Sequence, residues 1–277
     1  MFAIIGTIFT EVFLKPVVNL LILIYRGVDG AHVPGALGLS VVIMTVLIRF
    51  LVWPFIASQL KASRKMSELQ PQLSQLKAKY KDDKNKLSQE QMKLYKEHGV
   101  NPAGGCIPSL VQLPVVIALY QTISSLFNGT NGLSHINSLL YSPAWHLDRL
   151  PDTHFLGVDL VHKPSEFLAI GWGLLLIPVV TAGLQFIQSK MMAPQPVKPY
   201  KGDSNKEVKE KIETEDTMVA VQGQMLYMMP LMIGYFAFQF PIGLAIYWNT
   251  FTIIGIFQQY LISGWGGLAP WIKRIRN

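Results

Sequence analysis

Charge is missing from long stretches of this chain, and those gaps limit it to few architectures. From Thr217 to Ile272 there is no Asp, Glu, Lys or Arg; Val100 to Leu147 and Phe167 to Ser189 are equally bare, and from Leu37 to Leu60 the one charge is Arg49. A helix rises about 1.5 Å per residue, so roughly 20 apolar residues cross the hydrocarbon core of a bilayer. In lipid each backbone polar group must be satisfied within its own segment, which leaves helices for runs of this kind. Only 15% of the 277 residues are charged, against about 25% in soluble domains, so a water-facing surface is largely lacking.

The gaps predict an all-α integral membrane protein, a five-transmembrane-helix bundle with spans at 36–57, 102–127, 167–189, 222–240 and 241–262. The last two divide one apolar block at Phe240-Pro241-Ile242-Gly243, where Pro and Gly punctuate a helix. Nineteen of the 24 basic residues then fall in 58–101, 190–221 and 263–277. By the positive-inside rule these are a cytoplasmic helical hairpin, a cytoplasmic linker and a cytoplasmic tail, and 128–166 is an extracytoplasmic loop. The surplus of Lys and Arg, +7 overall, is thereby a topology signal and calls for no specific nucleic acid.

Residues 1–30 are apolar, but Thr7, Glu11, Lys15 and Asn19 recur every fourth position. Such a stripe favours an amphipathic helix lying in the interface; a sixth span would leave the downstream orientation unchanged. No cluster of positive charge and no small-residue cleavage site marks a cleaved leader. In the hairpin, Leu69, Leu73, Leu76 and Tyr80 share helical spacing, Pro71 marks a break, and Ser88 with Gln91 fits a capping box. The hairpin reads either as a solvated connection or as a docking arm for cytosolic partners. Segment 193–217, with three prolines and mixed charge, reads as a flexible linker.

Arg49 is the most informative residue. A mid-membrane charge costs about 2.5–3.5 kcal/mol on insertion scales and faces a partner or water. No Asp or Glu lies in any of the five spans, so a water-filled cavity open to the cytoplasm is the expected solution, with snorkelling to the inner head groups as the alternative. Thr45, one turn earlier, shares its face. Ser109 and Gln112, the Thr181, Gln185 and Gln188 stripe, and Tyr247 to Thr250 supply further polar groups that could line a groove. Met225, Met228, Met229 and Met232 form an adaptable apolar stripe on the fourth span, suited to varied apolar partners, lipid or ordinary packing.

Catalytic and cofactor signatures are missing. There is no HExxH, GxSxG or P-loop pattern, all six His lie outside the spans, and one cysteine, Cys106, allows neither an internal disulfide nor a Cys-based zinc site. An enzyme or an ion-coupled carrier is therefore disfavoured, and no cofactor is called for.

Asn101 to Pro108 (NPAGGCIP), followed by Leu110, Gln112, Pro114 and Ala118-Leu119-Tyr120, resembles the YidC/Oxa/Alb family of membrane-protein insertases. Leu87 to Glu90, Leu94 to Lys96, Thr45 to Pro54, Phe186 to Gln188 and Pro241 to Trp248 (PIGLAIYW) match in the same order. The resemblance implies a five-span bundle around a groove closed to the outside, with Arg49 as the electrostatic centre that attracts polar client segments. It carries Gln188 and Trp248 over as groove lining, with Gln185 beside them; Thr45, Gln112 and Asn249 join from the polar pattern. It further implies nascent membrane proteins as clients in the lipid bilayer, the ribosome, targeting machinery and Sec translocon as further partners, and a hairpin active in client capture. With no large extracytoplasmic domain and no lipoprotein-type cysteine, the chain looks like a minimal core version in a bacterial plasma (inner) membrane. A small-solute channel or transporter using the same cavity is the competing function.

Overall fold

The computed structural model describes residues 2–80, 83–99, 107–126, 129–193 and 217–276. Helices dominate: α1 (Phe2–Phe9), α2 (Lys15–Gly30), α3 (Ala36–Leu51), α4 (Trp53–Glu68), α5 (Gln70–Lys79), α6 (Lys84–Glu97), α7 (Ile107–Leu126) and α8 (Gly129–Leu139). After a small β-hairpin, β1 (His154–Phe155) and β2 (Val158–Asp159), follow α9 (Phe167–Ile170), α10 (Leu176–Met192), α11 (Thr217–Gln239), α12 (Ile242–Ser263) and α13 (Ala269–Arg276). Among the described residues two stretches, Ile4–Gly30 and Trp172–Met192, are long and apolar enough to cross a membrane, and Ala36–Leu51 with Trp53–Glu68 makes a third if the broken pair is one span. The Asn101 to Cys106 part of the family-like motif and 194–216 of the linker lie outside the described residues.

The chain forms two compact units. The first comprises Met1–Trp53, Cys106–Leu184 and Ile233–Ile254. Its core is built on α2 and the turn before it, whose Leu14-Val17-Val18-Leu21-Ile22-Tyr25 face, spaced at three and four residues, is buried with Leu37, Val41 and Met44 of α3 and Ala118, Leu119 and Ile123 of α7. A π-helical turn, Thr10–Leu14, joins α1 to α2 in one long run, and Asn19, assigned to the water-facing stripe, is buried. Its Nδ2 donates to the Leu139 carbonyl at 2.9 Å and its Oδ1 accepts from the Tyr141 amide at 2.7 Å. An amide placed there closes the end of α8, whose last carbonyls have no partner within the helix.

The loop after α8 is pinned at both ends of its hairpin. Phe155 sits in a notch made by Gly35 and Gly38 at the start of α3; a Cβ on Gly38 would overlap its ring, and Gly35 has φ +72. Beyond β2, the Leu160 and His162 carbonyls accept from the Gly243 and Ile242 amides at 3.0 and 2.9 Å. Two of the donors that open α12 are thus satisfied from outside the helix, as the break at Phe240-Pro241 requires.

The second unit comprises Pro54–Gly105, Gln185–Met232 and Gly255–Asn277. Here α5 and α6 pair around Leu69 and Leu73, against Met66, Leu94 and Tyr95. Pro71 falls in the first turn of α5, where its missing N–H costs nothing. The start of α6 corrects the capping expectation: Asp83, not Ser88, is the N-cap, and its carboxylate accepts from the Lys86 amide at 2.9 Å. An anion also suits the helix dipole better than a hydroxyl. Within the expected first span, 36–57, the helix stops at Leu51 and restarts at Trp53, beside Pro54. Near the C-terminus, the Gly266-Gly267 turn lies so close to the Lys190 and Met191 carbonyls that no Cβ fits, and Trp271 lies 5.3 Å from the Lys190 ammonium.

Gly38→Ala is expected to destabilise the protein by about 1–3 kcal/mol through overpacking, and Phe155→Ala should cost far less in that background than alone; thermal unfolding of the four-member cycle reads this non-additivity. Leu73→Ala should cost about 2–5 kcal/mol locally, seen as faster hydrogen exchange in α5 and α6 with α2 unchanged. At the foot of β1, the Asp152 carboxylate bonded to the His154 imidazole holds that imidazole above its usual range, while the bonds from the His154 amide and ring hold Asp152 below its own. The pair's small contribution is then lost as pH falls through the Asp152 pKa and as it rises through that of His154. Nuclear magnetic resonance titration should find the His154 shift reduced in Asp152→Asn, with the contribution of Asp159 left.

Candidate functional site

Arg49 lies in the last turn of α3 and is 3% exposed. Its Nε and Nη2 donate to the Phe251 carbonyl at 3.2 and 2.8 Å, and the guanidinium carbon stands 3.5 Å from the centre of the Phe251 ring. The cation therefore has an acceptor oxygen and an aromatic face from one residue of α12. A buried charge of this kind is tolerated only with hydrogen bonds and compensating electrostatics, both of which Phe251 contributes. Where the sequence leads to a water-filled cavity, the structure puts a main-chain oxygen and an aromatic ring against the Arg49 guanidinium.

Phe251 is the fourth residue after Tyr247, so the two rings stack along one face of α12, 5.9 Å apart. Tyr247 is fully buried and its hydroxyl accepts from the Gln112 side-chain amide of α7. The structure thus links Arg49, Phe251, Tyr247 and Gln112 into one polar thread through apolar helices. Trp248 and Asn249, the next residues on α12, are half-buried, and the Asn249 Oδ1 is buried with no hydrogen-bond partner among the described residues. An acceptor left in that state costs about 1–3 kcal/mol, which a water or an incoming donor would recover.

Thr45 is wholly buried and its hydroxyl donates to the Val41 carbonyl of its own helix at 2.6 Å. Thr181 does the same with Ile177 at 2.8 Å. Gln185 and Gln188 are half-buried in the second unit. The methionine stripe belongs to that unit as well; Met228, Met229 and Met232 are exposed, at 57%, 41% and 47%, while the side chain of Met225 lies outside the described residues. Phe251 went unnoticed in the sequence. Its signal was available in the Tyr247/Phe251 spacing of four, but nothing in a phenylalanine advertises that its carbonyl will hold a cation.

Residues 30–266 match the model of the family described as 60Kd inner membrane protein. The chain is 32% identical to the membrane protein insertase YidC of Fusobacterium nucleatum subsp. nucleatum, covering 82% of this chain and 86% of that one. It is 33% identical to the membrane protein insertase MisCA of Bacillus subtilis, covering 82% and 70%, and 30% identical to the chloroplastic inner membrane protein ALBINO3 of Arabidopsis thaliana, covering 88% and 50%. It spans only 34% of the insertase YidC of Syntrophobacter fumaroxidans and 54% of that of Streptomyces avermitilis. A crystal structure of an active YidC insertase shares its fold, with a TM-score of 0.53 at 22% identity over 87% of this chain and 44% of that one. The YidC and MisCA relatives are insertases and not enzymes. With a buried Arg49 clasped by α12, a helical architecture shared with YidC and a family match over most of its length, the chain belongs to the 60Kd inner membrane protein family, that of the YidC membrane protein insertases.

Proposed function

We propose that this chain is a membrane protein insertase and chaperone of a bacterial plasma membrane, with five spans, the α5/α6 hairpin and the C-terminus on the cytoplasmic side. It receives hydrophobic client segments, gives their polar flanks a hydrophilic groove open to the cytoplasm, and releases their apolar helices into the bilayer, alone or beside the Sec translocon. The observation that carries the reading is the Arg49 guanidinium held on the Phe251 carbonyl and ring.

A carbonyl is a weak acceptor for a guanidinium; a carboxylate can take two parallel N–H bonds and balances the charge. A client's acidic or polar tail entering from the cytoplasm exchanges for the Phe251 carbonyl, so Phe251 keeps Arg49 solvated by protein between clients. The donor-hungry Asn249 Oδ1 and the Gln112 amide offer the tail further partners, as does the half-buried Trp248. Each exchange lowers the cost of taking a polar segment into the membrane, which is several kcal/mol per unsatisfied group. The exposed Met228, Met229 and Met232 take the client's apolar side, because flexible thioethers adapt to varied shapes. No bond is made or broken, and no nucleotide or metal enters the cycle.

Insertion into proteoliposomes tests this with two clients that differ only in an acidic or an uncharged translocated tail. Arg49→Ala should lower insertion of the acidic client by about tenfold, the scale of one charge-assisted bond, with the uncharged client affected less and Arg49→Lys intermediate. Equal loss for both clients, or full insertion of the acidic one, would remove the electrostatic role.

A further inference from the structure

The second unit holds a cavity of about 400 Å³ lined by residues of α4, the end of α10 and the end of α12. Its lining has two chemistries. Leu60, Met191 and Met192 are apolar, whereas Ser63, Ser67 and Ser263 bring hydroxyls and Arg64 and Glu68 bring opposite charges. Arg64 Nε donates to Glu68 Oε1 at 3.0 Å, and both side chains remain more than half exposed. Gln259, 3% exposed, also lines the cavity, and its Oε1 is buried with no partner among the described residues. A buried amide oxygen in that state asks for an N–H or O–H donor.

The cavity lies where apolar helices end and charge begins. Met191 and Met192 close the candidate span Trp172–Met192, and Lys61, Lys65 and Lys190 flank the lining residues in sequence. Trp265 and Trp271, partly exposed, follow α12 at the same end, the placement favoured by interfacial aromatic residues. A ligand suited to all of this carries a phosphate for Arg64 and the serine hydroxyls, a cationic N–H donor for Glu68 and the Gln259 oxygen, and hydrocarbon for Leu60 and the methionines.

We propose that this cavity binds a zwitterionic phospholipid head group of the phosphoethanolamine class. The phosphodiester faces Arg64 and Ser63, the ammonium faces Glu68 and, after rotation of the amide, Gln259, and the first methylenes of the acyl chains lie on Met191 and Met192. This goes beyond the insertase reading and does not depend on it, since it concerns a different set of residues.

The test is native mass spectrometry of the full chain in detergent, titrated with dioleoyl phosphatidylethanolamine, phosphatidylcholine or phosphatidylglycerol. Phosphatidylethanolamine should be retained about tenfold better than phosphatidylcholine, whose head has the same charges but no N–H to donate. Gln259→Leu should level that preference, and Arg64→Gln should weaken retention of both lipids. Soluble glycerophosphoethanolamine at millimolar concentration should displace the lipid, locating recognition in the head group. Equal retention of ethanolamine and choline lipids by the unaltered chain overturns the proposal, whatever the variants do. Tighter retention of phosphatidylglycerol overturns it in favour of a generic basic patch, and displacement by an acidic peptide but not by glycerophosphoethanolamine overturns it in favour of a client site.

Discussion

A guanidinium cannot be left unaccompanied among apolar helices, and the contact of Arg49 with Phe251 answers that constraint with the least specialised group a protein has, a main-chain oxygen at 2.8 Å. The consequences spread through α12. A carbonyl that points outward to a cation on another helix must be presented by a face packed firmly enough to hold it, and the stacked Tyr247 and Phe251 rings supply that face. Tyr247, being buried, needs a partner for its own hydroxyl and has it in Gln112. The thread from α3 to α12 to α7 is thus one chain of obligations, each met by the next residue.

Such an arrangement suits an insertase better than a carboxylate partner would. A buried ion pair between Arg49 and an acidic residue of the same protein would be costly to open, because breaking it leaves an uncompensated charge. In the proposed cycle a neutral acceptor holds the cation in place yet yields to a client carboxylate, the stronger acceptor. An internal carboxylate beside Arg49 would, in that cycle, occupy the position that incoming chains take, and Ala36–Leu51, the helix that carries Arg49, has none.

The helical class and the position of the main break are legible in the residue order, and what is not legible there shares a cause. The charge gaps, the turn at Pro241 and the singular position of Arg49 are properties of composition and spacing, which survive folding unchanged. Partners are not. Thr45 and Thr181 occupy polar-looking positions, but a threonine in a helix can return its hydroxyl to the carbonyl one turn back, as both do. Asn19 fell on a polar stripe with Glu11 and Lys15, and periodicity identifies a face without saying what covers it; the end of α8 does. Ser88 and Asp83 both resemble caps, and the choice went to the residue at which the chain first turns. Phe251 was illegible because its role is played by its backbone.

The fastening of α12 from outside its own sequence has an engineering consequence. Its first amides hang on the Leu160 and His162 carbonyls, and Phe155 is keyed into the start of α3, so the loop between α8 and α9 is a strut with two bolted ends. Between those bolts lies Leu156-Gly157, a two-residue tip with both residues at positive φ and Leu156 86% exposed. An epitope tag or a fluorophore placed at that tip leaves both attachments untouched, whereas the same graft three residues later pulls the first turn of α12 away from its acceptors.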